Sequence, residues 1–355
     1  MSDSGLTTKE EELIEEQGWK EFRQERKRPL WKKFAFGFWI TFLIILLVGI
    51  GAALVYKTGF TFSQMNVGNS SGILPLTEDE ATPLPDSDRL NILVLGLRGE
   101  DDPNGGLLTD SIMVLSIKKS TKQVALISIP RDLYITMPGQ NYKEKINFAY
   151  ALGFEKKGAV DGMYLSKIAV SRVTGLYINN VIAVDHTAFK EIVEIVGGVD
   201  VYLDKPFSEK EQFAKEILID LPAGLNHLGG QTALYFVRAR YSTNDFDRAR
   251  RQQMVFLAVK ERAMTLGVLV NPVKIYQLLD SMGRNIKTDM SVGDIKNLVG
   301  LVQDVDSKKV IHKVFDVAPE GLLYASQSPA GAYILLPVGD NFQKIQEACN
   351  NIFNF

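Results

Sequence analysis

Between residues 89 and 203 the apolar positions come in short, dense runs divided by polar turns. "NILVLG" (91–96), "SIMVLSI" (111–117) and "VALISI" (124–129) are rich in β-branched residues and show little polar alternation. Runs of that length and density read as strands buried on both faces rather than half-exposed ones. "KKSTKQ" joins the last two and suits a hairpin, so that pair is expected to be antiparallel. "VIAVD" (181–185) and "VDVYL" (199–203) read as further strands. Between them "HTAFKEIVEIVGG" switches to helical spacing, with Thr187 near the expected cap and the Gly197–Gly198 pair ending the helix.

Farther on, "GGQTALYFVRAR" and "DRARRQQMVFLAVKERAMTL" carry apolar residues at helical spacing, as do "NPVKIYQLLDSM" and "SVGDIKNLVGLVQDV". "KVIHKVFDV" and "AYILLPV" read as strands, and no internal repeat is visible. The mixture predicts an α/β layered fold with a central mixed β-sheet covered by helices. The main domain is expected over 89–262, with 263–355 completing it or forming a small accessory module.

Ahead of this domain the pattern changes. "FAFGFWITFLIILLVGIGAALVY" (34–56) has no charge and one clearly polar residue, Thr41. At helical rise it spans roughly 35 Å, against a hydrocarbon core of about 30 Å, so one transmembrane helix is expected. Cleavable signal peptides usually have a shorter apolar region, which favours a retained anchor. Trp31 and Tyr56 lie where interfacial aromatics belong. Lys20, Arg23, Arg26, Lys27, Arg28, Lys32 and Lys33 crowd the N-terminal flank, so residues 1–33 form a cytoplasmic tail and the main domain lies outside the membrane. Residues 57–88, rich in Gly, Ser, Thr, Pro and acid, read as a linker.

Charge then sharpens one stretch. The chain is balanced, with 40 Lys and Arg against 42 Asp and Glu, yet "YFVRARYSTNDFDRARRQQ" (235–253) holds five arginines. For such a local cationic patch in a neutral chain, DNA, phosphate esters and plain surface ion pairing are all candidates. The single cysteine, Cys349, excludes a disulfide framework and a cysteine-based zinc site. His186, His227 and His312 are widely spaced and each reads as a satisfied surface or core histidine.

Three further stretches can carry chemistry. "SIPRDLY" (128–134) puts Arg131 just after a buried strand, and strand ends of open α/β sheets are common ligand sites. The loop "GLRGEDDPNGGLLTDS" (96–111) holds Arg98, Glu100, Asp101, Asp102 and Asp110. Carboxylates beside arginines can hold a hard divalent cation while the arginines take its phosphate partner. "EKINFAY" (144–150) offers Lys145 and Asn147. Arg250 and Arg251 are assigned to the surface, and Asp245 and Asp247 to orienting the guanidiniums.

"NILVLG", "TDSIMVLSI", "ISIPRDLYITMPG", "KINFAYALG", "VGGVDVYL", "LPAGLNHLGGQTALYFVRARYS" and "DFDRARRQQ", in that order, resemble the LytR–CpsA–Psr family of envelope phosphotransferases. The resemblance covers about residues 89 to 262. It implies transfer of a glycopolymer from a polyprenyl-pyrophosphate carrier to a peptidoglycan hydroxyl at the membrane, with no nucleic-acid partner. By position it implies that Arg131, Arg238, Arg240 and Arg248 bind the pyrophosphate, with Lys145 as a further candidate. It also implies a Mg2+ or Mn2+ ion on Asp110 and a second carboxylate. The family's first carboxylate follows its strand in a Gly-x-Asp pattern; here Arg98 stands there, and Asp101 or Asp102 is the available substitute. The expected catalytic set is therefore Arg131, Asp110 and Asp101, with Asp110 and Asp101 as metal ligands. Asp101, Asp102 and Asp132 are each candidates to accept the hydroxyl proton, and a lipid tail calls for an apolar groove. Rival readings are a catalytically weak scaffold for polyprenyl phosphates, a pyrophosphate hydrolase and a nucleic-acid-binding regulator.

Overall fold

The computed structural model describes residues 82–354, apart from 101, 103–105, 214–217, 266–282, 284 and 304. The expected tail and membrane span, residues 57–81 of the linker and the helix read over 271–282 lie outside the described residues. Among those residues, no helix is long and apolar enough to cross a membrane.

The three densest apolar runs lie side by side. β1 (Arg89–Gly96), β2 (Ser111–Lys118) and β3 (Gln123–Ser128) form an antiparallel meander in which Gly96 faces Ser111 and Lys118 faces Gln123. β4 (Tyr134–Thr136) and β5 (Lys143–Lys145) make a small hairpin, followed by α1 (Ala149–Lys157) and α2 (Ala159–Thr174). β6 (Asn180–Val184) then joins β1 in parallel, and α3 (His186–Ile195) follows it. β7 (Val199–Leu203) pairs not with the main sheet but with β10 (Gly224–Leu228), while β8 (Phe207–Glu209) pairs with β9 (Ile219–Leu221).

Two helices follow, α4 (Gly230–Arg238) and α5 (Asp245–Thr265). The C-terminal residues supply both edges of the sheet: β11 (Ile286–Thr288) lies antiparallel to β6, and β12 (Ile311–Val314) lies parallel to β3. Between them runs α6 (Val292–Val302), whose Ser291 and Asp294 form a reciprocal capping box. β13 (Leu323–Gln327) and β14 (Tyr333–Pro337) form a hairpin, and α7 (Gln343–Asn350) closes the described chain. The sheet order is β11–β6–β1–β2–β3–β12, the mixed sheet that the pattern predicts.

Alternating strand residues serve two cores. Leu93, Leu95, Val114, Ala125 and Ile127 pack with α1 and α2, whereas Ile92, Met113, Leu115, Val124 and Leu126 pack with Phe256 and Leu257 of α5 and Leu298 of α6. Both faces being buried explains the unbroken apolar runs. A third cluster joins α3, α4 and α5 to β7–β10.

Several elements depart from the sequence reading. α1 and α2 escape it because α2 buries most of its circumference, leaving no polar stripe to mark a helix. The two helices also cross closely: a Cβ at Gly153 would lie 2.2 Å from the Asp161 carbonyl oxygen. α3 is capped by Asp185 rather than Thr187, because the Asp185 carboxylate accepts the Ala188 amide at 2.7 Å. Helical spacing through "VRAR" is broken at Ala239, whose extended ψ of 136° starts a turn before α5.

Candidate anion-binding site

The topology gathers four chain segments at one end of the sheet. β1, β3 and β6 all end there, and β2, running the other way, begins there. Arg98 lies just beyond β1, Asp110 just before β2, Arg131 just beyond β3, and His186 just beyond β6. α5 lays Arg248 against the same end: its guanidinium donates to the Asp110 carbonyl at 2.8 Å.

Asp110 is the centre. Its amide donates to the Gly96 carbonyl at 2.8 Å, which fixes the backbone. Its Oδ2 accepts Arg98 Nε at 3.0 Å, and its Oδ1 accepts Arg131. Burial alone would raise the Asp110 pKa, but the Arg131, Arg98 and Arg248 charges outweigh it and hold the carboxyl below the usual range. Thr109 and Arg131 are tied to one residue, Asn147, whose carbonyl accepts the Thr109 amide at 3.1 Å and whose amide donates to the Arg131 carbonyl at 3.3 Å.

Asp245 is a second hub. Its Oδ1 lies 2.9 Å from Arg248, 3.7 Å from Arg131 Nε and 3.9 Å from Arg240. Lys145 and Asp132 form an adjacent pair at 2.6 Å. Arg238 belongs to the cluster through its field: burial lowers its pKa, and Arg98 lowers it further while Asp110 raises it. Burial likewise brings Arg248 down to about 10, still charged at neutral pH. Arg131 Nε and Arg248 Nε are buried without a hydrogen-bond partner in the protein. Buried donors of that kind are costly unless something else accepts from them.

A cleft of about 340 Å3 opens beside these groups, lined by Asp132, Arg240, Tyr241, Asp245, Phe246 and Tyr333 among others. Tyr333 reaches it from β14, whose Leu335 amide donates to the Asp132 carbonyl at 2.9 Å. Two larger surface grooves, of about 820 and 760 Å3, are lined by other residues.

The structure therefore brings Arg131, Arg248, Arg98 and Asp110 into direct contact. Arg240 and Lys145 join them through Asp245 and Asp132, and Arg238 lies within the field of Arg98. Asp101 lies outside the described residues, while Asp102 contributes to the field at Arg238 and His186.

One sequence assignment is corrected. Arg251 is not a surface residue but is 7% exposed; it donates to the Phe236 carbonyl at 3.0 Å, to the Ala239 carbonyl and to Thr243 Oγ1, and stacks over the Phe207 ring at 4.6 Å. The surface reading overlooked that the turn before α5 folds back beneath the helix. Arg250 does lie at the surface, pairing with Asp247 and Asp316. Of the two acids, Asp245 orients the site arginines and Asp247 serves Arg250 and Asn244.

Sequence reasoning also missed two supports. Gln212 accepts the Arg240 amide at 2.6 Å and donates to the Arg238 carbonyl at 2.8 Å, and Glu209 accepts the Ser242 amide at 2.9 Å. Nothing in local sequence marks these long-range contacts. His186 is different: burial and the Arg238 charge bring its pKa from 6.5 to about 4, so it is neutral among charges. Its position directly after a buried strand was the available signal.

The resemblance implies a divalent cation on Asp110. Both Asp110 oxygens face guanidiniums, and among the described residues no three His, Cys, Asp or Glu side chains are grouped to hold a metal ion. A hard cation of this kind takes about six or more oxygen ligands at close range, of which several can be water. The described residues do not fit such an ion.

Fold and site together define an α/β domain with a cluster of guanidiniums around one carboxylate at the strand end. The sequence matches the LytR_cpsA_psr family over residues 65–351, and the chain belongs to that family. The teichoic acid transferase TagU of Bacillus cereus is 31% identical over 263 residues, 72% of this chain and 79% of TagU. TagT of Bacillus subtilis is 26% identical over 85% of this chain and 92% of its own length. The solved structure of TagT bound to LI-WTA matches with a TM-score of 0.60 at 22% identity, covering 82% of this chain and 100% of that one. At that identity the structural likeness speaks for the fold.

Proposed function

We propose that this protein is an envelope transferase that moves a glycopolymer, through its phosphate, from a polyprenyl-pyrophosphate carrier to a hydroxyl of peptidoglycan. The observation that carries the reading is the arc of Arg98, Arg131 and Arg248 around Asp110, with two buried guanidinium N–H groups left without a protein acceptor. The names of the curated relatives, polyisoprenyl-teichoic acid–peptidoglycan teichoic acid transferases, support the same substrate and acceptor classes.

In the step itself, the acceptor oxygen attacks the glycan-linked phosphorus. The bond from that phosphorus to the bridging oxygen breaks, and the bridging oxygen leaves with its electron pair as polyprenyl phosphate. The product is a phosphodiester to the acceptor, and the hydroxyl proton passes to a base. Negative charge grows on the bridging oxygen, where guanidinium donors are most effective because they are already oriented. The acceptor enters through the 340 Å3 cleft, where Asp132 stands as proton acceptor. Residues 34–56 anchor the protein as a single span with its N-terminus in the cytoplasm and this site outside, which matches a lipid-linked donor.

The test uses the full-length protein in detergent, a polyprenyl-pyrophosphate glycan and an acceptor glycan. Linked product that disappears in Arg131→Ala supports transfer. Tight lipid binding without product favours a scaffold, and release of the glycan phosphate to water favours a hydrolase. A reporter fused after Phe355 that works only in the cytoplasm would overturn the topology.

A further inference from the structure

We propose that Arg98 stands against Asp110 in place of a divalent cation, so that this protein grips its pyrophosphate with guanidiniums and does not need a metal to do so. The inference rests on the polyprenyl-pyrophosphate reading and goes beyond it by assigning what neutralises the ligand.

Position comes first. Gly96 and Ser111 are paired across β1 and β2, so the residues just outside that pair, Arg98 and Asp110, are held within reach of each other by the sheet register. The Asp110 amide is bonded back to the Gly96 carbonyl, which closes the gap further. Gly99 follows Arg98 with a φ of 126°, a conformation that L side chains rarely adopt, so the chain turns away immediately and leaves the Arg98 side chain over the strand end.

Occupancy comes next. Arg98 Nε takes Asp110 Oδ2 at 3.0 Å, and Arg131 takes Oδ1. An arginine guanidinium stays protonated in proteins, so these are two permanent positive charges on one carboxylate. A dication seated on Asp110 would share that one carboxylate with two guanidiniums and sit beside both of their charges.

Reach is the third point. The Arg98 side chain is 28% exposed, more than Arg131 at 13%, and so faces the open side of the cluster. Its charge is felt at Arg238 and at His186. Arg98 therefore holds Asp110 while its charge acts on Arg238. A dication held by Asp110 would likewise supply positive charge to the phosphoryl groups. A guanidinium placed there supplies one charge rather than two, but it supplies directional N–H donors to adjacent phosphoryl oxygens.

The test compares full-length wild type, Arg98→Gln and Arg98→Asp in detergent, with geranylgeranyl pyrophosphate as the binding probe. Each is measured in excess chelator and in excess Mg2+, and Mn2+ binding is read separately by the loss of its free electron-spin-resonance signal. Wild type is expected to bind the probe within about threefold in the two conditions and to leave Mn2+ free. Arg98→Gln, which keeps size but not charge, is expected to bind roughly ten- to a hundredfold more weakly in both. Arg98→Asp is expected to bind weakly in chelator, to recover at least about tenfold with Mg2+, and to take up Mn2+. Wild type that loses the probe in chelator, or that takes up stoichiometric Mn2+, overturns the proposal. If no form binds the pyrophosphate, the underlying substrate reading fails while the Mn2+ signals of wild type and Arg98→Asp still decide what occupies Asp110.

Discussion

The 97–110 loop and the 238–251 segment both deliver arginines to the strand end, and they hold them in opposite ways. In the loop, Arg98 rests on a charged carboxylate that it shares with Arg131, and its side chain stays partly open. In the segment, the turn carrying Arg238 and Arg240 is fixed mainly through its backbone, by Gln212, Glu209 and the buried guanidinium of Arg251. The contrast separates two uses of one residue type. Arginines meant for a ligand sit close to like charges and rest on shared carboxylates, and in Arg131 and Arg248 the buried Nε makes no hydrogen bond. An arginine meant to position others has its donors filled by fixed carbonyls. Removing the first kind should cut function more than stability, and removing the second kind should cut both.

The largest expected effect comes from Arg131→Ala. It deletes the buried Nε donor and the Asp110 partner together, and loss of one oriented donor to a developing oxyanion costs about a hundred- to a thousandfold in rate. Single-turnover transfer measures this directly. Arg131→Lys keeps the charge but not the planar fork, so it is expected to recover less than about a tenth of the lost rate. Full recovery by lysine would mean that charge alone matters at this position, and the distinction between ligand-facing and positioning arginines would lose its basis.

Arg251→Met tests the other side of the comparison. Methionine keeps the buried stem but leaves the Phe236 and Ala239 carbonyls without their donor, and orphaned buried groups cost about 1–3 kcal/mol each. The expected outcome is a drop of roughly 2–4 kcal/mol in urea unfolding, at the level of breaking a buried network, together with a lower kcat/KM because the Arg238–Arg240 turn loosens. Wild-type stability with impaired transfer would move Arg251 to the ligand-facing group.

How much of this was legible before the fold follows the same division. The strands of the meander announce themselves because both faces are buried, and the ligand-facing arginines because they stand beside strand ends and in an ordered set of motifs. β7 shows its alternation, but its partner β10 and the pair β8–β9 escaped notice because they are short and paired only through long-range contacts. Arg251 was misread because its neighbour Arg250, one helical step away, is exposed; residue type cannot tell which of two adjacent arginines faces inward. Gln212 and Glu209 act across nearly thirty residues or more, a separation that no sequence pattern encodes.

A smaller effect is expected from acid. His186 has a folded pKa of about 4 against 6.5 for the ordinary imidazole, with burial as the main cause and Arg238 as the next. The unfolded chain therefore binds the extra proton between those values, so stability is complete above about pH 6.5 and is lost as pH falls toward 4. A shift of that size corresponds to at most about 3 kcal/mol, and to nearer 2 once partial solvent access is allowed for. His186→Asn should flatten this part of the pH–stability curve in urea titrations. An unchanged slope would place the acid sensitivity elsewhere.

The smallest effect is the control on which the comparison turns. Arg250 lies next to Arg251 on α5, but its guanidinium, 51% exposed, pairs with Asp247 at 2.8 Å and Asp316 at 3.1 Å. Exposed ion pairs of this kind contribute about 0–1 kcal/mol, because solvent screens them and side-chain entropy offsets the attraction. Arg250→Ala is therefore expected to leave unfolding within about 0.5 kcal/mol and transfer within about twofold of wild type. The two substitutions remove the same charge from neighbouring positions, so net charge cannot explain a difference between them. If Arg250→Ala proved as damaging as Arg251→Met, the segment would be acting through its overall positive potential, and the saturated contacts of Arg251 would not be what fixes the turn.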